Sequence, residues 1–114
     1  MSSVPETDKT STGLDPNVAA ALAYGLGWVT GIIFLVIEPA NRFVRFHALQ
    51  SIIVFGPLSV LTILLQAIPF LGMLIAVFLV IPFSAVLWLV LMFKAYQGET
   101  FKLPIAGDMA EQRL

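Results

Sequence analysis

The residue types that could carry out chemistry meet in one short stretch of the chain. His47 is the only histidine, and Gln50 and Ser51 follow it three and four positions later. In a helix this spacing places the three side chains on one face. A histidine beside a serine could act as base and nucleophile, and an imidazole could also bind a metal ion, a haem or a pigment.

Each of these activities needs further groups that the sequence does not supply on that face. A base acting on Ser51 needs a carboxylate that orients its ring, and none follows at helical spacing. A metal or haem site needs several ligands, whereas the chain has one histidine and no cysteine. We therefore expect no enzyme activity, no catalytic residue, no metal site and no bound cofactor, and His47 is the one candidate for a haem or pigment ligand. The favoured interpretation is that His47 makes a polar contact within a helix bundle.

The distribution of charge indicates the elements that must position these residues. Hydrophobic residues make up 59% of the 114-residue chain and charged residues only 11%, whereas soluble domains contain about 25% charged residues. All charged residues fall within positions 6–15, 38–45 and 94–113, so that residues 16–37 and 48–93 carry no charge. This distribution predicts an integral membrane protein that contacts the lipid bilayer. The net charge of −1 indicates no nucleic-acid partner.

The lengths of the uncharged runs predict an all-α membrane protein with three transmembrane helices. The first spans residues 17–37, close to the roughly 20 residues that cross a bilayer. The second run has 46 residues and as one helix would be about 69 Å long, more than twice the thickness of a bilayer. It must turn at the proline and glycine within residues 68–72. This turn gives two further spans over residues 48–68 and 72–93.

The flanking residues predict the domain organisation and the orientation. Residues 1–15 read as a disordered polar tail, residues 16–96 as the transmembrane domain, and residues 97–114 as a C-terminal tail that docks on the membrane or a partner. The N-terminal tail and the turn after the second span contain one lysine, Lys9, whereas the other loop and the C-terminal tail contain five lysines and arginines. Basic residues favour the cytoplasmic side. We therefore expect a prokaryotic cytoplasmic membrane protein with its N-terminus outside and its C-terminus in the cytoplasm.

Small residues recur at every fourth position along the first span. Ala19, Ala23, Gly27 and Gly31 share one helix face, and the last two match the GxxxG pattern. Such a face lets another backbone approach closely. The partner is either another helix of the same chain, which we favour, or a second chain in a homo-oligomer.

Two segments have the composition of a membrane surface. We expect the second span to be extended at its N-terminus by an interfacial helix that begins after an Asn41 cap. Its phenylalanines would enter the acyl boundary while its arginines meet lipid phosphates, or the segment simply anchors the span at its depth. In the C-terminal tail, a glycine suits the end of the third span, and apolar residues alternate with polar ones. The predicted interfacial or partner-binding residues are Arg42, Phe43, Arg45, Phe46, His47, Gln50, Tyr96, Gly98, Phe101 and Pro104.

These two segments also resemble a known family. Residues 42–51 (RFVRFHALQS) and 95–108 (AYQGETFKLPIAGD) resemble the Tic20-like family of small prokaryotic membrane proteins, and the similarity extends over residues 14–111. Most members have no assigned function, and the plastid relative is the inner-envelope component of the chloroplast protein-import translocon. The resemblance implies a helical membrane bundle with both segments at the cytoplasmic face and no established catalytic residue.

The absence of ionisable groups within the spans favours a supporting function. Coupled transporters place acidic or basic side chains inside the bilayer, and this chain has none there. We expect an accessory or scaffold subunit of a larger membrane complex, with membrane-protein partners or further copies of itself. One alternative is an oligomeric peptide or solute translocation component, and a second is a pigment or haem-bearing subunit through His47. The candidate polar lining of a conduit is Thr30, Ser59, Thr62 and Ser84.

Overall fold

The computed structural model describes residues 10–114. The regular structure within this part is entirely helical and comprises α1 (Pro16–Leu22), α2 (Trp28–Ile37), α3 (Arg42–Leu65), α4 (Leu71–Ile75), a π-helical segment (Ala76–Val80), α5 (Ile81–Tyr96) and α6 (Ala106–Gln112). The elements from α4 to α5 follow one another without a gap and form one long helix. By length and composition, this helix and α3 could each cross a membrane, while α2 is a shorter apolar helix.

Helix α3 begins where the sequence predicts. The Asn41 side chain accepts a hydrogen bond of 2.9 Å from the backbone N–H of Val44, which satisfies one of the free donors of the first helical turn. The helix contains 24 residues and extends about 36 Å at 1.5 Å per residue. It therefore joins the predicted interfacial extension to the second span. The chain then turns over residues 66–70, which confirms a break at this place, although α3 ends three residues before the predicted boundary.

The segment predicted as one span over residues 17–37 is not one helix. Helix α1 ends at Leu22, and α2 starts only at Trp28. Gly27 lies between them with a φ of 64°, a conformation that glycine adopts without a steric penalty. The Thr30 hydroxyl closes the turn, because it accepts a 2.9 Å hydrogen bond from the N–H of Leu26 and lies 3.1 Å from the carbonyl oxygen of Ala23. The prediction of a continuous first helix is therefore wrong.

The two ends of this α1–α2 hairpin meet at one end of the molecule. The Glu38 carboxylate, which follows α2, accepts hydrogen bonds from the backbone N–H groups of Ser11 and Thr12, at 2.5 and 2.9 Å, and from the Thr12 hydroxyl. Gly27 lies beside Phe55, and Gly31 lies beside Ala48, so α2 runs antiparallel to the first half of α3. The residues before and after the predicted first span therefore lie close together at one end of the molecule.

Small side chains allow α1 to pack between the two long helices. Its alanines belong to two core clusters, one with Phe34 and Val44 and the other with Leu91 and Ala95. Helices α3 and α5 contact each other only sparsely, while α1 contacts both. Helix α1 therefore fills the space between the long helices at the end where α3 begins and α5 ends.

Both terminal regions lie against this same end. The polar tail predicted over residues 1–15 is partly outside the described residues, but residues 10–14 form turns whose groups bond to Glu38. In the C-terminal tail, α6 places Ala110 against Phe46 and Leu49 of α3. The C-terminal region thus packs on the helix bundle of its own chain, and its docking on a membrane or a partner stays a prediction.

Gly31 provides a test of the α2–α3 contact. A Cβ added at Gly31 would lie 2.9 Å from the carbonyl oxygen of Ala48 and 3.1 Å from Cγ1 of Ile52. We expect Gly31→Ala to force α2 away from α3 and to lower the free energy of unfolding by about 1–3 kcal/mol, as overpacking does, measured by denaturation in detergent micelles. Gly56→Ala is the matched control, because a Cβ there meets nothing within 4 Å. Equal losses in the two variants would contradict the close approach.

The Glu38 contacts should depend on pH. Burial raises the pKa of Glu38, but the hydrogen bonds from Thr12 and Ser11 together lower it by more than burial raises it. The pKa of Glu38 therefore lies below its ordinary value. The stability that this carboxylate contributes is therefore present above its ordinary pKa and is lost as the pH falls through the lowered pKa. We expect the hydrogen-exchange protection factors of the Ser11 and Thr12 amides to fall over that pH range. In Glu38→Gln the profile should be flat, and a flat wild-type profile would refute this account.

Candidate functional site

Four polar side chains are completely buried where α1, α3 and the segment between α5 and α6 meet. Helix α3 contributes His47, Gln50 and Ser51, and Tyr24 comes from the turn after α1. All four residues are 0% exposed. Their polar atoms therefore need partners inside the protein, and together they form what we call the buried polar site. The shared face of the three α3 residues is the one predicted from their spacing.

The hydrogen-bond partners of His47 define its tautomer. Its Nε2 lies 2.9 Å from the carbonyl oxygen of Glu99, and a carbonyl can only accept, so Nε2 carries the proton. In the neutral ring, Nδ1 is then an acceptor, and it accepts a hydrogen bond of 2.7 Å from the Tyr24 hydroxyl. The Tyr24 oxygen in turn accepts a 2.9 Å hydrogen bond from Nε2 of Gln50. A directed chain thus runs from Gln50 through Tyr24 and His47 to the backbone at Glu99.

Gln50 holds the segment that follows α5 by its backbone. Its Nε2 donates to the carbonyl oxygen of Phe101, and its Oε1 accepts from the N–H of Leu103, both at 2.9 Å. With the His47 contact to Glu99, the site binds three alternate residues of an extended stretch, as a neighbouring strand would. We call residues 99–103 the docked segment.

The remaining contacts satisfy the turn between α1 and α2. The Ser51 hydroxyl donates to the carbonyl oxygen of Gly27, and the Trp88 indole N–H donates to that of Tyr24, both at 2.7 Å. A chain reversal at membrane depth exposes backbone groups that lipid cannot satisfy, so such partners must come from the protein. The Ser51 hydroxyl therefore acts as a hydrogen-bond donor to the backbone of this turn.

The surroundings of His47 are polar at its two nitrogens and aromatic elsewhere. Both ring nitrogens are engaged, and the rings of Phe43, Phe46 and Tyr24 pack edge-on around it, with centroids at 4.7, 5.2 and 5.4 Å. Among residues 10–114, no group of three or more histidine, cysteine or acidic side chains is arranged to hold a metal ion. The hydrogen bonds of the site join α3, the turn after α1 and the docked segment to one another.

The other predicted site residues divide between the interior and the surface. Ala19, Ala23 and Gly31 are buried within the chain, and Gly27 lies beside Phe55. Because the chain turns between α1 and α2, these four residues do not form the single helix face that the spacing predicts. The interfacial set is mixed. Phe46 is buried with His47 and Gln50, Phe43, Arg45 and Phe101 are half-buried, and Arg42, Tyr96, Gly98 and Pro104 are exposed.

Sequence reasoning missed two side chains of the site and the role of a third. Tyr24, Trp88 and Glu38 are not among the residues that the sequence analysis singles out. The two glycines that follow Tyr24, at positions 25 and 27, are a turn signal that could have located the hairpin. No local signal connects Trp88 or Glu38 with their partners, which are distant in sequence.

The candidate conduit residues are only partly brought together. Ser59, Thr62 and Ser84 line a groove of about 310 Å³ between α3 and α5, beyond the hairpin and next to Trp88. Thr30 lies elsewhere, in the hairpin turn. The groove opens to the side of the molecule, so one chain encloses no pore there.

Comparison with known proteins relates this chain to archaeal membrane proteins. A UPF0132 membrane protein of Methanocaldococcus jannaschii is 53% identical over 104 residues, which cover 91% of this chain and 93% of the relative. One from Archaeoglobus fulgidus is 50% identical over 98 residues, covering 86% and 94%. Another from M. jannaschii is 44% identical over 100 residues, covering 88% of this chain and 71% of the relative. No protein-family profile and no solved structure matches the chain.

Removal of the Gln50 amide should release the docked segment. In Gln50→Ala the backbone groups of Phe101 and Leu103 lose their partners, at a cost of about 1–3 kcal/mol for each buried group. Since about 1.4 kcal/mol changes an opening equilibrium tenfold, trypsin should cleave after the exposed Lys102 at least tenfold faster than in wild type. Gln66→Ala, in an exposed glutamine just after α3, is the control and should cleave at the wild-type rate. Equal cleavage rates in the two variants would show that Gln50 does not hold the segment.

Proposed function

Since this chain belongs to the UPF0132 family of membrane proteins, it works in a lipid bilayer, and we propose that it acts there as a non-enzymatic accessory or scaffold subunit of a larger membrane complex. The observation that carries this proposal is the engagement of every side chain of the buried polar site. Tyr24, His47, Gln50 and Ser51 each bond to another part of the same chain. Such a site holds the helices and the docked segment in a fixed arrangement, and its polar groups are already engaged within the chain.

The outer surface supports the same proposal. The lipid-depth faces of α2, α3 and α5 carry large apolar side chains, with exposures such as 70% for Val36, 69% for Ile63 and 61% for Val86. In a bilayer these faces can contact lipid or other transmembrane helices, for which van der Waals packing is the main attraction. The end of the bundle where α3 begins and α5 ends carries residues 10–14 and α6. This end is available to partners at the membrane surface.

The arrangement in the membrane that fits these contacts has two crossings and one re-entrant hairpin. Helix α2 has 10 residues, about 15 Å, which is half the thickness of the hydrocarbon layer. We place α3 and the Leu71–Tyr96 helix across the bilayer and the α1–α2 hairpin halfway into it from the cytoplasmic side. The five lysines and arginines within residues 10–114 then lie on one side, and none lies in the turn over residues 66–70, as the positive-inside rule favours. Three crossings would require Ser11 and Thr12 to leave Glu38.

Single cysteines test this topology without background, because the chain has no native cysteine. We expect Thr10→Cys and Gln97→Cys to react with a membrane-impermeant maleimide only in inverted vesicles or permeabilised cells. Ile68→Cys, in the turn between the two crossings, should react in intact cells. Labelling of Thr10→Cys from outside would favour three crossings with an exported N-terminus.

The subunit function is tested by purification of the tagged full chain from its native membranes in mild detergent. We expect one or more membrane proteins to co-purify at constant stoichiometry, identified by mass spectrometry, in a particle larger than the monomer. A tagged membrane protein of unrelated family, expressed at the same level, is the control for adventitious capture. Recovery of a monomer alone, under conditions that preserve other membrane complexes, would overturn the proposal.

A translocation component is the second candidate. It is favoured by the groove with Ser59, Thr62 and Ser84, by the re-entrant hairpin, and by the resemblance to the Tic20-like family with its plastid import component. Because the groove opens sideways, several copies would have to enclose a path. Conductance across liposomes that contain only this protein, reduced by Ser84→Leu, is the result that would favour it. The pigment or haem function has less support, because a ligand at His47 would have to displace Tyr24 or Glu99.

A further inference from the structure

The docked segment is held in a way that does not depend on its sequence. The hydrogen bonds that His47 and Gln50 make with it all go to backbone atoms: the carbonyl oxygens of Glu99 and Phe101 and the N–H of Leu103. Every peptide carries these groups. Backbone bonding to an extended peptide supplies affinity in strand-addition complexes, while pockets for alternate side chains supply specificity.

The side chains of the docked segment alternate between the bundle and solvent. Phe101 and Leu103 pack against the core cluster that contains Tyr24, Phe55 and Leu91. Lys102, between them, is exposed and pairs with a glutamate of α6. The cleft therefore fits two large apolar side chains separated by one residue that faces outward.

The connection of the docked segment to the bundle allows it to leave. Gly98 follows α5 with a φ of 82°, which closes the helix in a conformation typical of glycine. Residues 99–103 have no regular secondary structure of their own. Their release costs the contacts with the cleft but breaks no helix.

From these features we infer that the cleft formed by Tyr24, His47 and Gln50 is a binding site for an extended segment of a partner protein with large apolar side chains at alternate positions. The chain's own residues 99–103 occupy the cleft in the absence of that partner and compete with it. This inference rests on the proposed function as a subunit of a complex, because it specifies the chemistry by which a partner is bound.

The experiment measures binding of a fluorescent peptide with the sequence of residues 98–108 to the full chain in detergent micelles. In wild type the tethered segment competes at an effective concentration in the millimolar range, so the peptide should bind weakly. The double variant Phe101→Ala/Leu103→Ala keeps the whole chain but weakens its own segment. We expect the peptide to bind this variant at least tenfold more tightly than wild type, measured by fluorescence anisotropy.

Two controls separate specific binding from adsorption to the micelle. Adding Gln50→Ala to the double variant should abolish binding, whereas adding Gln66→Ala should leave it unchanged. A peptide of the same composition, with phenylalanine and leucine three positions apart, should not bind. Equal binding of both peptides, or binding that survives Gln50→Ala, overturns the proposal. Circular dichroism monitors the helix content, and Phe101→Ala alone replaces the double variant if the latter loses helix.

A further measurement distinguishes a partner from a second copy of the chain. Two wild-type chains with different tags are co-expressed and purified through one tag. Co-purification of the second tag that disappears in Gln50→Ala would show exchange of the docked segment between copies and would overturn the assignment to a partner. The peptide assay uses pure protein, so its failure would leave the co-purification test of the subunit function unaffected.

Discussion

Backbone groups in apolar surroundings must find partners within the protein, and this constraint governs the whole structure. The chain reverses between α1 and α2 in the middle of an uncharged run, where helical hydrogen bonds are interrupted. Thr30, Ser51 and Trp88 supply hydrogen bonds to three carbonyl groups of this turn. Helix α1 can therefore lie between α3 and α5 while α2 packs on α3, and the small residues of α1 permit the close packing.

The same constraint explains the buried polar site. The docked segment has no helix to satisfy its backbone, and His47 and Gln50 satisfy it from α3. Tyr24 links these contacts to the hairpin, so that the N-terminal and C-terminal parts of the chain share one hydrogen-bonded network. Polar residues that resemble a catalytic set thus bond separate parts of the chain to one another. A protein built in this way is suited to hold or present other components, as the proposed subunit function requires.

The elements that depend on local signals were predictable. The Asn41 cap identified the start of α3, the proline and glycine near residue 70 identified the turn between the long helices, and the spacing of His47, Gln50 and Ser51 identified their common face. The hairpin was not recognised, because Gly27 satisfies both a packing pattern and a turn pattern. The glycines within residues 25–31 are compatible both with a GxxxG packing face on one helix and with a turn between two helices. Only the contact of Gly27 with Phe55 and the bond from Ser51 decide between them.

The sequence by itself determined that this is a helical membrane protein, where its charges lie, and which residues begin α3. These properties follow from hydropathy and from hydrogen bonds between residues close in the chain. The tertiary structure alone decided that the first apolar run folds back on itself, that Glu38 meets Ser11 and Thr12, and that the docked segment lies on Gln50. Hydropathy reports the preference of a segment for the bilayer but not the number of times it crosses. That number depends on contacts between residues far apart in sequence, which no local pattern contains.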